Sequence, residues 1–155
     1  MRDTIEETTQ ENIDEKSMSV TKEEIKTLIN TAMKMREKAY CPYSNYSVGV
    51  ALLSADGEIF VGCNVENASS PAGICAERVA FSSAVASGKK RFKAIAICGG
   101  KSGEKSTDFA YPCGICRQVM TEFCASDFKV IVACDIDNFK IYSLDEIIPY
   151  PFILG

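Results

Sequence analysis

Two short cysteine motifs carry the chemistry this sequence offers. One is Cys113-Gly114-Ile115-Cys116, preceded by Pro112. The other is Cys75-Ala76-Glu77, a thiol and a carboxylate two residues apart. Taken alone, the first could be a redox pair, half of a structural zinc site or chance in a cysteine-rich chain, and the second carries little meaning. Together they supply three thiols and an acid. The chain has 155 residues and no histidine. That excludes Ser-His-Asp and Cys-His nucleophiles, and every zinc site with an imidazole ligand. A general acid or base acting near neutral pH is then expected to be a carboxylate with a shifted pKa.

Both motifs fall where helices are expected to begin. The pattern predicts one helix from about Cys75, with Ala76, Val79, Ala80 and Val85 on its inner face and Gly88 stopping it. Pro112 suits the opening of another, running to about Cys124 with Ile115, Val119 and Phe123 facing inward. Helix N-terminal amides stabilise thiolates. Two such ends pointing together would hold three thiolates around one metal. Three thiolates suit zinc, and three protein ligands with water in the fourth position are the catalytic pattern. Zinc with three thiolates carries a net charge of about −1, so the site needs positive charge. The two helix dipoles and Arg78 are the candidates. Glu77, in the first helical turn, can project past the helix end and reach the metal's water without being a ligand. A structural zinc site would instead draw a fourth ligand from Cys41, Cys63, Cys98, Cys124 or Cys134.

The rest of the chain reads as the frame for these motifs. Residues 1–20 form an acidic N-terminal tail. Order is expected from Thr21, where Thr21-Lys22-Glu23-Glu24 fits a capping box; Ile25, Leu28, Ile29, Ala32 and Met33 then line one face of a helix running to about Tyr40, where Cys41-Pro42 ends it. Val48, Val50 and Leu52 alternate as a strand does, residues 55–58 form a hairpin turn, and Ile59–Cys63 returns. A loop over 64–74 leads into the first cysteine helix. Phe92–Cys98 reads as a buried strand, Gly99–Tyr111 as a surface loop, and Lys129–Cys134 and Lys140–Tyr142 as two further strands. Ser143-Leu144-Asp145-Glu146 is a second capping box, opening a short helix that Pro149 ends. The order α-β-β-α-β-α-β-β-α implies an α/β domain over 21–155, with a mixed sheet covered by helices.

Eight cysteines in 155 residues, about 5%, fall short of the roughly 8–10% of secreted disulfide scaffolds. Several lie inside apolar runs, as Cys98 and Cys134 do, and behave as small hydrophobes. With no signal-type segment at the N-terminus, the compartment reads as reducing and cytoplasmic. No apolar run approaches the roughly 18 residues of a membrane helix. A net charge of −4 gives no electrostatic footprint for nucleic acid or an anionic membrane.

At this point the residues resemble a family. Cysteine-x-Glu followed by Pro-Cys-x-x-Cys is the zinc deaminase signature with cysteine in place of histidine. The segments 43–49, 64–68, 73–78, 112–119 and 147–149 extend the match, so that residues 25–152 are similar to the small homotetrameric cytidine deaminases. The resemblance implies a three-layer α/β/α sandwich around a mixed sheet of about five strands. It implies hydrolysis of cytidine and 2′-deoxycytidine to uridine and 2′-deoxyuridine plus ammonia, with one zinc per subunit bound by Cys75, Cys113 and Cys116. Glu77 would take a proton from the activated water, pass it to cytosine N3, and protonate the departing amine. Asn64 and Glu66 would hold the ribose 3′-hydroxyl, as an amide and a carboxylate two residues apart on an extended segment can. Tyr46 falls where the family stacks an aromatic on the base, the backbone at Ala76 would meet the pyrimidine, and Arg78 would hydrogen-bond the thiolates. Phe152 matches an aromatic that reaches a neighbouring subunit's site.

Ser70 departs from the family's frequent tyrosine, and Tyr46 from its usual phenylalanine. Three alternatives stand beside this reading. One is a deaminase for a modified cytosine nucleoside, of the blasticidin type, which the Asn64/Glu66 pair disfavours. Another is a single-stranded nucleic-acid editor, which the acidic charge disfavours. The third is a zinc-stabilised interaction module. The five other cysteines, and also Tyr43 and Phe60, read as packing residues.

Overall fold

In a computed structural model, which describes residues 18–155, the sheet has five strands in the order β2-β1-β3-β4-β5. Most of the acidic segment, residues 1–17, lies outside the described residues. The elements are α1 (Lys22–Met35), β1 (Tyr46–Ser54), β2 (Ile59–Cys63), α2 (Ala76–Ala86), β3 (Phe92–Lys101), α3 (Gly114–Phe123), β4 (Lys129–Ala133), β5 (Phe139–Ser143) and α4 (Leu144–Ile147). This is the expected order. β1 pairs antiparallel with β2 and β3, β3 pairs parallel with β4, and β4 pairs antiparallel with β5. The sheet is therefore mixed, as the α3 crossover between β3 and β4 requires.

Period-2 alternation divides the apolar residues between two faces. Ala51, Leu53, Ala94, Ala96 and Ile131 meet Leu28, Ile29 and Ala32 of α1 on one face. Val50, Leu52, Ile95, Ile97, Val130 and Val132 meet α2 and α3 on the other. The result is three layers. Helix α1 opens with the capping box read from Thr21: Glu24 N–H donates to the Thr21 hydroxyl at 3.1 Å, and Thr21 N–H donates to the Glu24 carboxylate at 2.8 Å. Val20 and Ile25, flanking that cap, both pack against the α1-face core, the positions of a hydrophobic staple.

Four expectations need correction. Helix α1 ends at Met35 and tightens into a 3-10 turn over Arg36–Lys38, short of Tyr40. The reason is long-range: Tyr40 leaves helical geometry to bridge Val65. Strand β3 continues through Gly99 and Gly100 to Lys101, where a surface loop was expected. In α2 the buried side chains are Ala76, Glu77, Ala80, Phe81 and Ala84, not Val79 and Val85. In α3 Val119 and Phe123 pack against the core as expected, but the fully buried side chains are Cys116 and Met120, and Ile115 is 61% exposed. Each helix has turned so that a polar or sulfur residue faces the interior.

That turn is held by aromatic packing. Phe81 of α2 lies 5.1 Å edge-on from Phe92 and stacks 6.1 Å from Phe123 of α3, fastening the two helices together above the sheet. Helix α2 also sits unusually close to β2. A side chain at Gly62 would collide with the Ala76 carbonyl oxygen and the Ala80 nitrogen, so only glycine permits this approach. The N-termini of α2 and α3 are thereby fixed side by side.

Candidate metal centre and active site

Cys75 and Cys113 are the N-cap residues of α2 and α3, both in extended geometry and neither making a side-chain cap bond. Cys116 lies one turn into α3 and is fully buried. The Sγ atoms of the three lie within 4.8 Å of one another, with Cys75 and Cys113 3.8 Å apart. This is the cluster the two motifs implied. The donor chemistry fits zinc: three soft sulfurs converge on one point from two helix ends whose amides favour negative charge.

The electrostatics follow from this arrangement. A hydrogen bond from Cys116 pulls the Cys75 thiol down to about 5, against the opposing effect of burial and with further help from Arg78 and Cys113. The same contact pushes Cys116 up, and burial and Glu77 add to it. The Arg78 Nε atom is buried without a hydrogen-bond partner. Such an orphan donor is costly in a finished site, and a cation facing the sulfurs is what a negatively charged three-thiolate centre needs.

Glu77 is 5% exposed, and its Oε2 atom lies 3.4 Å from Cys116 Sγ. Burial holds its carboxyl above the usual range, with the Cys75 charge contributing. A buried acid beside a metal-ligating cluster, with its proton affinity raised, is suited to carry protons.

Beside the sulfurs opens a cavity of about 490 Å³, walled by Tyr43, Asn64, Glu66, Ser70, Cys75 and Arg78 among others. Glu66 accepts backbone N–H bonds from Tyr43 at 3.0 Å and Ser44 at 3.1 Å, and contacts with Ser44 keep its carboxyl low. Asn64 bonds the backbone of β1 on both sides of its amide. Ala76 is buried at the first turn of α2. Tyr46 does not wall this cavity; it begins β1 on the α2 side of the sheet, with its ring over Gly99. Phe152 stands apart, 71% exposed, with its carbonyl accepting from Gln118 Nε2 at 2.9 Å.

Sequence reading missed one contributor. Tyr43, taken as packing, is 63% exposed and walls the cavity, and its N–H and that of Ser44 orient Glu66. No local signal in the sequence ties residues 43–44 to residue 66. Phe60 is a core residue, as expected. None of the five other cysteines joins the three-sulfur cluster, and burial raises Cys63, Cys98 and Cys124.

Residues 22–134 match the family model described as the cytidine and deoxycytidylate deaminase zinc-binding region. The chain belongs to this zinc-dependent deaminase family. It is 43% identical over 119 residues to a probable cytidine deaminase of Dictyostelium discoideum, covering 76% of this chain and 77% of that one. It is 46% identical over 107 residues to the cytidine deaminase of Sporosarcina psychrophila, covering 69% and 75%. The crystal structure of cytidine deaminase from Burkholderia pseudomallei superimposes with a TM-score of 0.73 at 42% identity, over 81% of this chain and 97% of that one. As a member of a deaminase family it is an enzyme, and Cys75, Cys113 and Cys116 are the sulfurs that fit the family's zinc. Among the described residues no helix is long and apolar enough to cross a membrane.

Proposed function

We propose that this deaminase hydrolyses cytidine and 2′-deoxycytidine to uridine and 2′-deoxyuridine, releasing ammonia. The observation that carries the reading is the buried Glu77 carboxylate, 3.4 Å from a sulfur of the three-cysteine cluster, whose Cys75 lines the cavity that Asn64 and Glu66 also line. Cys75, Cys113 and Cys116 would hold the zinc, which would lower the pKa of a bound water and so supply a nucleophile near neutral pH.

Glu77 does the proton work. Its carboxylate takes a proton from the attacking water and gives it to cytosine N3, while a C4–O bond forms. It then carries the second proton to the exocyclic nitrogen as the C4–N bond breaks, and ammonia leaves. A raised proton affinity lets one group serve in both directions. Glu66, oriented through one oxygen by Tyr43 and Ser44, offers the other to the ribose 3′-hydroxyl, and Asn64 shares that contact. The first turn of α2 at Ala76 faces the pyrimidine, and a base that meets the Tyr46 ring lies beyond the walls of the Asn64–Glu66 cavity, toward Gly99. Arg78 offsets thiolate charge.

We further propose a homotetramer in which Phe152 reaches a neighbour's site. Tyr150, Phe152, Ile153 and Leu154 are all strongly exposed, an apolar run that association would cover. Free thiols throughout favour a reducing cytoplasmic setting.

Assaying ammonia release from cytidine, 2′-deoxycytidine, cytosine and dCMP tests the substrate class, with turnover of the first two expected. Glu77→Gln should keep zinc and fold and lose about 100- to 10,000-fold in kcat. Normal deamination of cytidine by that variant would contradict the mechanism.

A further inference from the structure

We infer that Asn64 is a positioning residue for Tyr46, in addition to any contact with ribose. This rests on the nucleoside reading above. Strand β2 ends at Cys63, yet β1 continues past it to Tyr46. The Asn64 N–H still donates to the Val48 carbonyl at 3.3 Å. Beyond that point the side chain replaces the missing strand. Asn64 Oδ1 accepts the Val48 N–H at 2.8 Å, and Asn64 Nδ2 donates to the Tyr46 carbonyl at 2.8 Å. The amide thus prolongs the β1–β2 ladder by one step, satisfying two backbone groups that would otherwise lose their partners on that edge.

The far side of Tyr46 is fixed as well. A Cβ placed on Gly99 would lie 3.0 Å from Tyr46 Cε1 and 3.1 Å from its hydroxyl. The ring rests on bare β3 backbone, with Asn64 holding its own backbone from the other side. An asparagine amide offers two donors and two acceptor positions. One of each is engaged with β1, and one of each is left for a ribose hydroxyl. On the nucleoside reading, the same side chain therefore sets the ring assigned to the base and shares the contact assigned to the sugar. Losing it should weaken catalysis even on a substrate that has no 3′-hydroxyl.

The test is kcat/KM for cytidine and for 3′-deoxycytidine, the latter also read as an inhibition constant against cytidine. Wild type, Asn64→Ala, Tyr46→Ala and the double variant are compared, each checked for zinc content and circular dichroism. Asn64→Ala should lower both values, with a loss on 3′-deoxycytidine of about fivefold, the worth of one neutral hydrogen bond. In the Tyr46→Ala background that loss should shrink to less than about twofold. Where Asn64→Ala does not fold, Asn64→Asp carries the test. It keeps the acceptor for Val48 but sets an oxygen against the Tyr46 carbonyl, and the same loss is expected. An Asn64 effect that disappears with 3′-deoxycytidine would overturn the inference, since Asn64 would then act on the sugar alone. An undiminished effect without the Tyr46 ring would also overturn it. Absence of wild-type turnover on cytidine is a separate pattern, and it would defeat the nucleoside reading itself.

Discussion

Helices α1 and α4 begin on hydroxyl side chains, whereas α2 and α3 begin on thiols. At Thr21 and Ser143 a capping box closes the helix: the N3 glutamate reaches back to the cap N–H at 2.8 Å in α1 and 2.7 Å in α4. At Cys75 and Cys113 the cap backbone has the same extended geometry, and no side chain bonds the first-turn amides. Satisfying orphan amides stabilises a helix by about 1 kcal/mol. Among the described residues, two of the four α-helices forgo that at the one place where their ends meet. Their first-turn amides and sulfurs remain available to a metal and a substrate. Local stability and chemistry have been assigned to different helix ends.

The largest break in this comparison comes from making α3 resemble α1. Cys113→Ser installs a capping hydroxyl in place of a ligand. Zinc should no longer accompany the protein at one per chain, and ammonia release should fall to background. Meanwhile the metal-free variant should gain up to about 1 kcal/mol in urea unfolding. Retained stoichiometric zinc would show that Cys113 is not a ligand, and a loss of metal-free stability would show that the thiol end was not left uncapped. Next in size is Arg78→Gln, which removes the cation facing the sulfurs. Chelator competition should show zinc affinity reduced about 10- to 100-fold, with far-ultraviolet circular dichroism unchanged.

The smaller effects belong to the capped ends. Thr21→Ala should cost about 1 kcal/mol in unfolding and leave kcat/KM unaltered. Ser143→Ala opens a helix of only four residues and should cost about 0.5 kcal/mol. A fall in kcat/KM from either would mean that the two kinds of helix end are coupled.

The capped ends were also the more legible ones. Both boxes, the order of elements and the mixed sheet follow from local patterns, because a cap or a period-2 strand is decided within a few residues. The three cysteines and Glu77 stand out in the sequence for a different reason: neither motif means much alone, but together, at two expected helix starts, they supply three thiols and an acid in a pattern that resembles the zinc deaminase signature. What local patterns hide is orientation. The apolar stripe of α2 suggests Val79 and Val85 as inner residues, but Glu77 takes an interior position and turns Phe81 and Ala84 inward with it. Cys116 does the same to α3 and leaves Ile115 outside. Gly99 and Gly100 look like a loop and are buried strand, because the Tyr46 ring and Arg36 occupy the space where side chains would stand. The bonds from Glu66 to residues 43–44 and from Asn64 to β1 join segments about twenty residues apart. No spacing rule connects those segments.

X-ray absorption at the zinc edge of the purified protein tests the centre most directly. Three sulfur neighbours at about 2.3 Å and one lighter neighbour at about 2.0 Å are expected, because among the described residues only Cys75, Cys113 and Cys116 converge as ligands. Four sulfur neighbours would contradict this, placing a further cysteine on the metal and making the centre structural.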